Sequence, residues 1–383
     1  MRQIKRLVIG LFGLLLAQTA HAAPDLKAMH GVWSGTIGNL PVQACYNAGD
    51  YTNDGRYFYL NRLSTIPLIS DTKKPGELTE GWPDQKKVAR WRIGSITANG
   101  VEGAWTGNGR TLPIRLTRMR FAVSEDSDSP CGSLAFVQPI FAATRIVKSP
   151  GRVHGLAVEK WKLATADESV SIESFQLRGT GPAIAAINQR LRESFDHSEE
   201  GWKWCLRNAG AWGGSYYDEV ETRLLTAHWL SVMSHNESSC GGAHPNNSNQ
   251  SILFDRQSGR QVDVYTWFGS ASPKREQLDG TSETIDEPTG KLFDLIMKLH
   301  PRTGEKDKEC GDAVATASSW ALELKADGVS FTPELPRVVM ACGDEVVLPW
   351  AKLRPFLNSV GKREVAALLA ERRQQRSPVA KAR

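Results

Sequence analysis

The chain has 383 residues, of which 40% are hydrophobic and 23% are charged, and its formal net charge is +5. At about 100–200 residues per domain, this length predicts two or three domains. The modest charge does not favour a nucleic-acid partner, which calls for a strongly basic face. Thirty-four glycines and nineteen prolines are ordinary usage and exclude collagen-like and low-complexity chains.

The first 22 residues have the three-part layout of a secretory signal peptide. A basic start is followed by an apolar run at 7–17, and Ala20-His21-Ala22 offers a small-x-small cleavage site before Ala23. A retained membrane anchor is the alternative, but the run is well short of the ~20 apolar residues that span a bilayer. We therefore expect a periplasmic or secreted protein without a transmembrane span after removal of the signal.

The positive charge is concentrated at the two ends of the chain. Residues 1–22 carry three bases and no acid, and residues 362–383 carry seven bases and two acids, so the body between them is slightly acidic. We interpret 361–383 as a basic tail that forms a solvated helix end. Weak attraction to anionic envelope polymers or lipid head groups is the functional alternative.

Six cysteines lie in the expected mature chain, and an even count in an oxidising compartment indicates disulfides. Sequence alone leaves fifteen connectivities open. Proximity in the sequence, and the placement of both cysteines within one predicted unit, favour three local pairs: Cys45–Cys131, Cys205–Cys240 and Cys310–Cys342. A catalytic thiol is the competing interpretation for any one of them.

Residues 24–148 are predicted to form an all-β domain, a small antiparallel barrel or meander. Its strand-prone runs are 56–60, 87–93, 101–106 and 111–117. Asn99-Gly100 and Gly107-Asn108-Gly109 lie between such runs and are typical of hairpin turns, because Asn and Gly accept positive φ. Four tryptophans are interpreted as core residues, with a bound ligand as the alternative: Trp33, Trp82, Trp91 and Trp105.

Residues 150–360 mix helices and strands and are predicted to form an α+β domain. A helix begins near Pro182, and its apolar face consists of Ile184, Ile187, Leu191 and Phe195. The other main elements are a long strand at 222–234, a hairpin at 251–264, a helix at 288–299 and a short closing helix at 349–357.

Stretches in this second domain resemble the PdaC/RsiV-like extracellular domain family over residues 150–358. The first stretch, 239–246, contains Cys-Gly-Gly-Ala-His, and the second, 252–262, has a hairpin around Gln-Ser-Gly-Arg. The third combines 329–334 with the closing segment 346–357, Val-Val-Leu-Pro-Trp-Ala-Lys-Leu-Arg-Pro-Phe-Leu. The chain departs from the family in its cysteines, in Trp350 where Tyr is usual, and in Tyr-Thr-Trp-Phe where the family has Asp-Leu-Phe.

The resemblance implies a non-catalytic α+β domain in the cell envelope. Members of the family accompany a peptidoglycan deacetylase or form the outer part of anti-sigma receptors that sense lysozyme. It attributes no catalytic residues to this domain and implies no cofactor. An envelope protein or a cell-wall glycan is therefore the expected partner.

The residues themselves offer one candidate metal cluster: His235, Glu237, Cys240 and His244. Zinc sites use three or four such ligands, but a disulfide at Cys240 would leave three. A glycine-permitted bend, with His244 bonded to the backbone, is the simpler interpretation. We expect no metal. Motifs of zinc proteases, α/β-hydrolases, P-loop proteins and thioredoxin-like proteins are absent from the sequence.

An aromatic-rich, glycine-rich stretch follows the helix that begins near Pro182. Aromatic rings on such a loop could stack on sugars, and core packing is the alternative. The candidate binding residues are Trp202, Trp204, Trp212, Tyr216, Tyr217 and His244.

Three hypotheses follow. The leading one is an exported, non-enzymatic envelope protein that binds a lysozyme-like protein or peptidoglycan through its second domain. The second is a cell-wall hydrolase, or an enzyme associated with deacetylation, that uses His244 or Glu237. The third is a structural factor in envelope assembly.

Overall fold

The computed structural model describes residues 23–49, 53–81, 88–121, 129–242, 244–269, 273–277, 284–301 and 307–376. The predicted signal peptide, 1–22, lies outside these ranges, as do Trp82 and the last part of the predicted tail, 377–383.

Eight antiparallel strands close into a barrel, which confirms the predicted N-terminal β architecture. They are β1 (Gly31–Ile37), β2 (Leu40–Ala48), β3 (Asn53–Tyr59), β4 (Ile66–Ser70), β5 (Glu77–Glu80), β6 (Arg90–Ile96), β7 (Gly100–Gly107) and β8 (Arg110–Met119). β1 pairs with both β2 and β8, and this closes the barrel. Asn108 and Gly109 both adopt positive φ between β7 and β8, as the turn signal predicts.

Aromatic and aliphatic side chains fill the barrel. Trp33 and Trp91 are fully buried and belong to its core, and Trp105 packs against that core. At one end, Glu80 Oε1 accepts hydrogen bonds from Tyr57 Oη at 2.6 Å, Trp105 Nε1 at 2.6 Å and Trp91 Nε1 at 3.4 Å. These tryptophans therefore serve as packing residues, and Trp91 and Trp105 also donate hydrogen bonds to the Glu80 carboxylate.

A helix, α1 (Leu134–Ala143), follows the barrel inside the segment 24–148 that was predicted to be all-β. Its sequence is a nearly continuous apolar run, and such a run does not distinguish a helix from a buried strand by periodicity. The next strand, β9 (Arg145–Val153), begins before the expected boundary at 150 and already belongs to the second sheet.

The second sheet has seven strands in the order β15-β14-β13-β12-β11-β10-β9. After β9 these are β10 (Leu156–Ala164), β11 (Val170–Leu177), β12 (Ser215–Leu225), β13 (Trp229–Ser239), β14 (Asn246–Asp255) and β15 (Gln261–Val262). Neighbouring strands are antiparallel except β11 and β12, which the long helix α2 (Pro182–Asn208) connects in parallel. Pro182 occupies the first helical turn, and Ile187, Leu191 and Phe195 are buried as predicted.

The segment 222–234, predicted as one strand, is divided by a turn. Thr226 accepts a backbone hydrogen bond from Trp229 through its side-chain hydroxyl, and β12 and β13 pair as a hairpin around it. The turn contains no Gly, Pro or Asn, so the usual turn signals are missing. Two strands of eleven residues thus replace the single predicted one.

The C-terminal part forms a second core. Its elements are the hairpin β16 (Pro273–Gln277) and β17 (Thr284–Pro288), the helices α3 (Gly290–Leu299) and α4 (Lys308–Ala315), the sheet β18 (Trp320–Leu324), β19 (Gly328–Pro333) and β20 (Val346–Pro349), and the helices α5 (Trp350–Leu353) and α6 (Ser359–Arg376). α6 includes most of the segment assigned to the basic tail. Val365 and Leu368 of α6 are buried in this core. The helix therefore packs against the C-terminal part, whereas the sequence predicted a solvated helix end.

Three disulfides have the pairing that proximity favours: Cys45–Cys131, Cys205–Cys240 and Cys310–Cys342, with Cα–Cα distances of 5.1, 4.5 and 5.0 Å. No cysteine is free. Such bonds are consistent with an oxidising compartment outside the cytosol. Each helix in the described ranges is too short or too polar to cross a membrane.

The barrel and the seven-stranded sheet share a hydrophobic core. Val32 and Phe58 of the barrel, Phe136 of α1, and Trp161 and Trp202 of the sheet and α2 belong to one buried cluster. The fully buried Arg56 lies at this junction. Its Nη2 donates to the carbonyls of Cys131 at 2.7 Å and Leu206 at 2.6 Å, so it connects segments next to two disulfides.

Candidate functional site

One face of the seven-stranded sheet is covered by α2. On the other face, Trp229 of β13 and Leu253 of β14 pack in the C-terminal core, and the exposed remainder of this face is called the open face. Asp218 of β12 is buried and accepts a hydrogen bond from Ser198 of α2 at 2.8 Å, so it faces the helix. Because successive strand residues alternate between faces, its neighbours Tyr217 and Glu219 face away from α2. The candidate site is built on this open face.

A row of polar side chains crosses five strands of the open face. The register pairs Lys162 with Glu173, Glu173 with Glu219, Glu219 with His235, and His235 with Asn249. Directly opposed residues in a sheet lie on the same face with Cβ atoms about 5 Å apart. We call these five residues the polar sheet face.

Hydrogen bonds connect members of the row with their neighbours. Lys162 Nζ donates to Glu173 Oε1 at 2.6 Å, and Tyr217 Oη donates to Glu219 Oε2. His235 bonds Asn249 Oδ1 through Nδ1 at 2.5 Å and Glu237 Oε1 through Nε2 at 3.1 Å. The side chains of Lys162, Glu173 and His235 remain 58%, 41% and 38% exposed, so the network is accessible to a partner.

The surroundings of His235 favour its charged form. Both ring nitrogens face oxygen acceptors, and a ring that donates from both nitrogens is an imidazolium. The hydrogen bond to Asn249 contributes most to raising the pKa of His235, the bond to Glu237 adds to it, and partial burial opposes both. The hydrogen bond to Glu219 raises the pKa of Tyr217 to about 12, so this phenol stays protonated and donates.

A groove of about 630 Å³ adjoins the row, and Asn249 lines it together with residues of β18, β19 and the segment before β20. Glu323, with a side chain only 7% exposed, accepts from Lys325 Nζ at 2.8 Å and lies 4.0 Å from Arg223 Nε. Lys325 also pairs with Glu345 at 3.4 Å. The groove therefore presents positive and negative side chains next to each other, as the polar sheet face does.

The six residues proposed from sequence do not share one surface. Trp202 is 1% exposed and packs edge-on against Phe141 at 5.7 Å, and Tyr216 is 8% exposed in the same core. Trp204 is 57% exposed on α2, and His244 is exposed between β13 and β14. Among the five of these side chains that the structure describes, Tyr217 alone adjoins the polar sheet face, where its ring contacts that of His235 with centroids 6.0 Å apart. The Trp212 side chain lies outside the described part of the structure.

The candidate metal cluster is dispersed in the structure. Cys240 is bonded to Cys205, and His235 and Glu237 bond each other on the sheet. In the ranges that the structure describes, no three His, Cys, Asp or Glu side chains are arranged to hold a metal ion.

Lys162, Glu173, Glu219 and Asn249 were not proposed from sequence because the row exists only through strand register. The parallel pairing of β11 and β12 joins residues separated by the whole of α2. The available signal was the alternation of charged and apolar residues in segments such as 160–163, Lys-Trp-Lys-Leu. That pattern predicts a half-buried strand but not its neighbours.

Comparison with known proteins identifies no family for this chain. No family model matches it, and no curated protein matches it. Two solved structures that match part of this chain are a DUF3298 family member from Bacteroides fragilis, with 15% identity and a TM-score of 0.34, and a DUF3298 family protein from Pseudomonas aeruginosa, with 14% identity and a TM-score of 0.35. The alignments cover 56% of this chain and 92% and 94% of those chains. At these TM-scores the similarity assigns neither a family nor a function.

Proposed function

We propose that this is an exported, non-catalytic binding protein of the bacterial cell envelope. Its α+β part binds a lysozyme-like protein or a peptidoglycan glycan through the polar sheet face. The signal-peptide layout of residues 1–22 and the three disulfides support export. The resemblance of residues 150–358 to the PdaC/RsiV-like domain supports the envelope setting.

One observation carries the binding role: an exposed row of hydrogen-bonding side chains on the sheet. Lys162 and His235 present donors, and Glu173, Glu219 and Asn249 present acceptors across five strands, with the two glutamates side by side. A flat surface with both charge signs complements a partner that also presents donors and acceptors, because such complementarity provides specificity. The adjoining 630 Å³ groove extends the contact area beyond the strands.

Binding and turnover are tested together. The mature protein is incubated with purified, insoluble peptidoglycan, and separately with immobilised lysozyme. Retained protein and released soluble fragments are both measured. We expect saturable retention on one of the two supports and no fragment release.

The opposite pattern would favour an enzyme. Fragment release from peptidoglycan that disappears in His244→Ala or Glu237→Gln would replace the proposal with the hydrolase hypothesis. Retention on neither support, combined with an envelope defect on deletion, would favour a structural assembly factor.

A further inference from the structure

A second, unrelated groove lies at the C-terminal end of the described chain, between α5 with its following turn and one face of α6. It has a volume of about 400 Å³, within the usual range of small-ligand pockets. Its floor is apolar and includes Trp350, Leu357, Val365 and Leu369. We call it the α6 groove.

The helix face that lines the α6 groove follows directly from the sequence. Lys362, Val365, Leu369 and Arg373 are spaced by three or four residues and share one stripe of α6. The adjoining stripe, with Gly361 and Leu368, packs on the C-terminal core, and a Cβ on Gly361 would lie 2.3 Å from the Trp267 carbonyl oxygen. Val365 lies between the two stripes, and the groove stripe has apolar residues in its centre and cations at its ends.

The rim of the α6 groove is positive. Arg354, Lys362 and Arg373 line it, and no acidic residue does so among the lining residues of the described chain. The nearest acids along α6 are engaged elsewhere: Glu364 pairs with Arg363 at 2.7 Å, and Glu371 accepts from the Ala227 amide at 2.9 Å. An occupant must therefore be apolar in the middle and anionic at an end.

The floor contains one unsatisfied donor. Trp350 is 5% exposed, and its indole Nε1–H is buried without a hydrogen-bond acceptor in the described ranges. Buried donors normally have partners, and leaving one unpaired is unfavourable. A hydrocarbon chain has no acceptor for this donor, so the apolar floor and the cationic rim alone define the occupant.

The two ends of the chain have the wrong charge to fill the groove. Residues 1–22 carry three bases and no acid, and residues 377–383 carry Lys381 and Arg383 and no acid. Either segment would bring positive charge against a positive rim. We propose that the α6 groove binds one acyl chain of an anionic membrane lipid along its apolar floor, with the headgroup at one cationic end of the rim.

Dodecyl phosphate in its monomeric range is the probe, and binding to the mature protein is measured by titration calorimetry. We expect a single saturable site. Dodecyltrimethylammonium has the same chain with the opposite charge and should bind at least about tenfold more weakly, because its headgroup meets a cationic rim. Inorganic phosphate, which lacks the chain, should show no saturable binding.

Charge reversals locate the site. Of Lys362→Glu and Arg373→Glu, the reversal at the end that holds the headgroup should weaken dodecyl phosphate binding by about tenfold, since it replaces an attraction with a repulsion. Arg363→Glu makes the same change one residue along α6, outside the groove, and should alter affinity less than about twofold. Unchanged melting temperatures in all three variants confirm that the helix remains docked.

Three results of the binding experiments would overturn the proposal. These are equal binding of the cationic and anionic amphiphiles, losses in Lys362→Glu and Arg373→Glu that are both no larger than in Arg363→Glu, and absence of dodecyl phosphate binding below micelle formation. A concentration-dependent dimer that Lys362→Glu dissociates would also overturn it, because a second copy would then be the occupant.

Discussion

At the scale of single residues, Glu80 is a hydrogen-bond acceptor that three side chains of the barrel share. Its Oε1 accepts from Tyr57, Trp91 and Trp105, and the first two of these are almost completely buried. Burial, and after it the Glu80 carboxylate, raises the pKa of Tyr57, so the phenol remains a donor. Glu80 therefore acts in the barrel as a shared hydrogen-bond acceptor.

Glu80→Ala is expected to lower the free energy of unfolding by about 3 kcal/mol, because it leaves buried donors unpaired. Glu80→Gln keeps an acceptor oxygen and should lower the free energy of unfolding clearly less than Glu80→Ala does. The measurement is urea unfolding followed by tryptophan fluorescence. Glu102→Ala on the exposed side of β7 is the control and should change stability by no more than about 0.5 kcal/mol. Equal losses in Glu80→Ala and Glu102→Ala would refute the role of Glu80.

His235 gives the polar sheet face a pH-dependent stability. Its pKa is raised in the folded state, chiefly by Asn249 and then by Glu237. The stabilising contribution is therefore complete below the unfolded-state pKa of about 6.5 and is lost as pH rises through the higher folded-state value. We predict that the stability difference between the wild type and His235→Gln narrows above that value.

The pKa of His235 can be read directly from an NMR titration of its ring protons. Asn249→Ala removes the largest contribution and should lower the pKa toward 6.5, the usual value for histidine. A wild-type ring that already titrates at the ordinary value would contradict the network.

At the scale of elements, the docking of α6 depends on Gly361. An added Cβ would lie 2.3 Å from the backbone oxygen of Trp267, which cannot move without shifting the chain. Gly361→Ala should therefore destabilise the C-terminal core, although Ala is preferred to Gly in a helix by about 1 kcal/mol. Hydrogen exchange of the α6 amides should speed up. Stabilisation and slower exchange would show that the helix is not packed there.

The elements themselves were partly predictable. Alternating strands with Asn-Gly turns indicated the barrel, the spacing of Ile187, Leu191 and Phe195 indicated α2, and sequence proximity favoured the three disulfides. The turn at 226–228 was not predicted because it contains no glycine; the Thr226 hydroxyl accepts the hydrogen bond of the Trp229 amide instead. The row from Lys162 to Asn249 escaped because register and a parallel crossover, which are non-local, create it.

At the scale of the whole molecule, the barrel and the α+β part share a core, and Arg56 bonds across it. Burial lowers the pKa of this guanidinium to about 10, so it remains charged at neutral pH. Arg56→Ala would leave the Cys131 and Leu206 carbonyls without this donor and would open a cavity. We expect a loss of about 3–5 kcal/mol in the free energy of unfolding.

The loss should affect both parts together. Wild-type and Arg56→Ala proteins should each unfold in one transition by far-ultraviolet dichroism and by tryptophan fluorescence. Two separate transitions in the wild type, of which only one shifts in the variant, would show that the barrel and the α+β part are energetically independent.

The polar sheet face is the central claim, and a pair of charge reversals tests it most directly. Glu219→Lys reverses the charge of a carboxylate in the row. The control, Glu193→Lys, reverses the charge of an exposed carboxylate on α2, which pairs with Arg190 at 3.5 Å. Retention on purified peptidoglycan and on immobilised lysozyme is measured for both variants and the wild type. The account predicts that Glu219→Lys weakens binding to the retaining support by about tenfold and that Glu193→Lys leaves it unchanged. Equal retention of the two variants would contradict it.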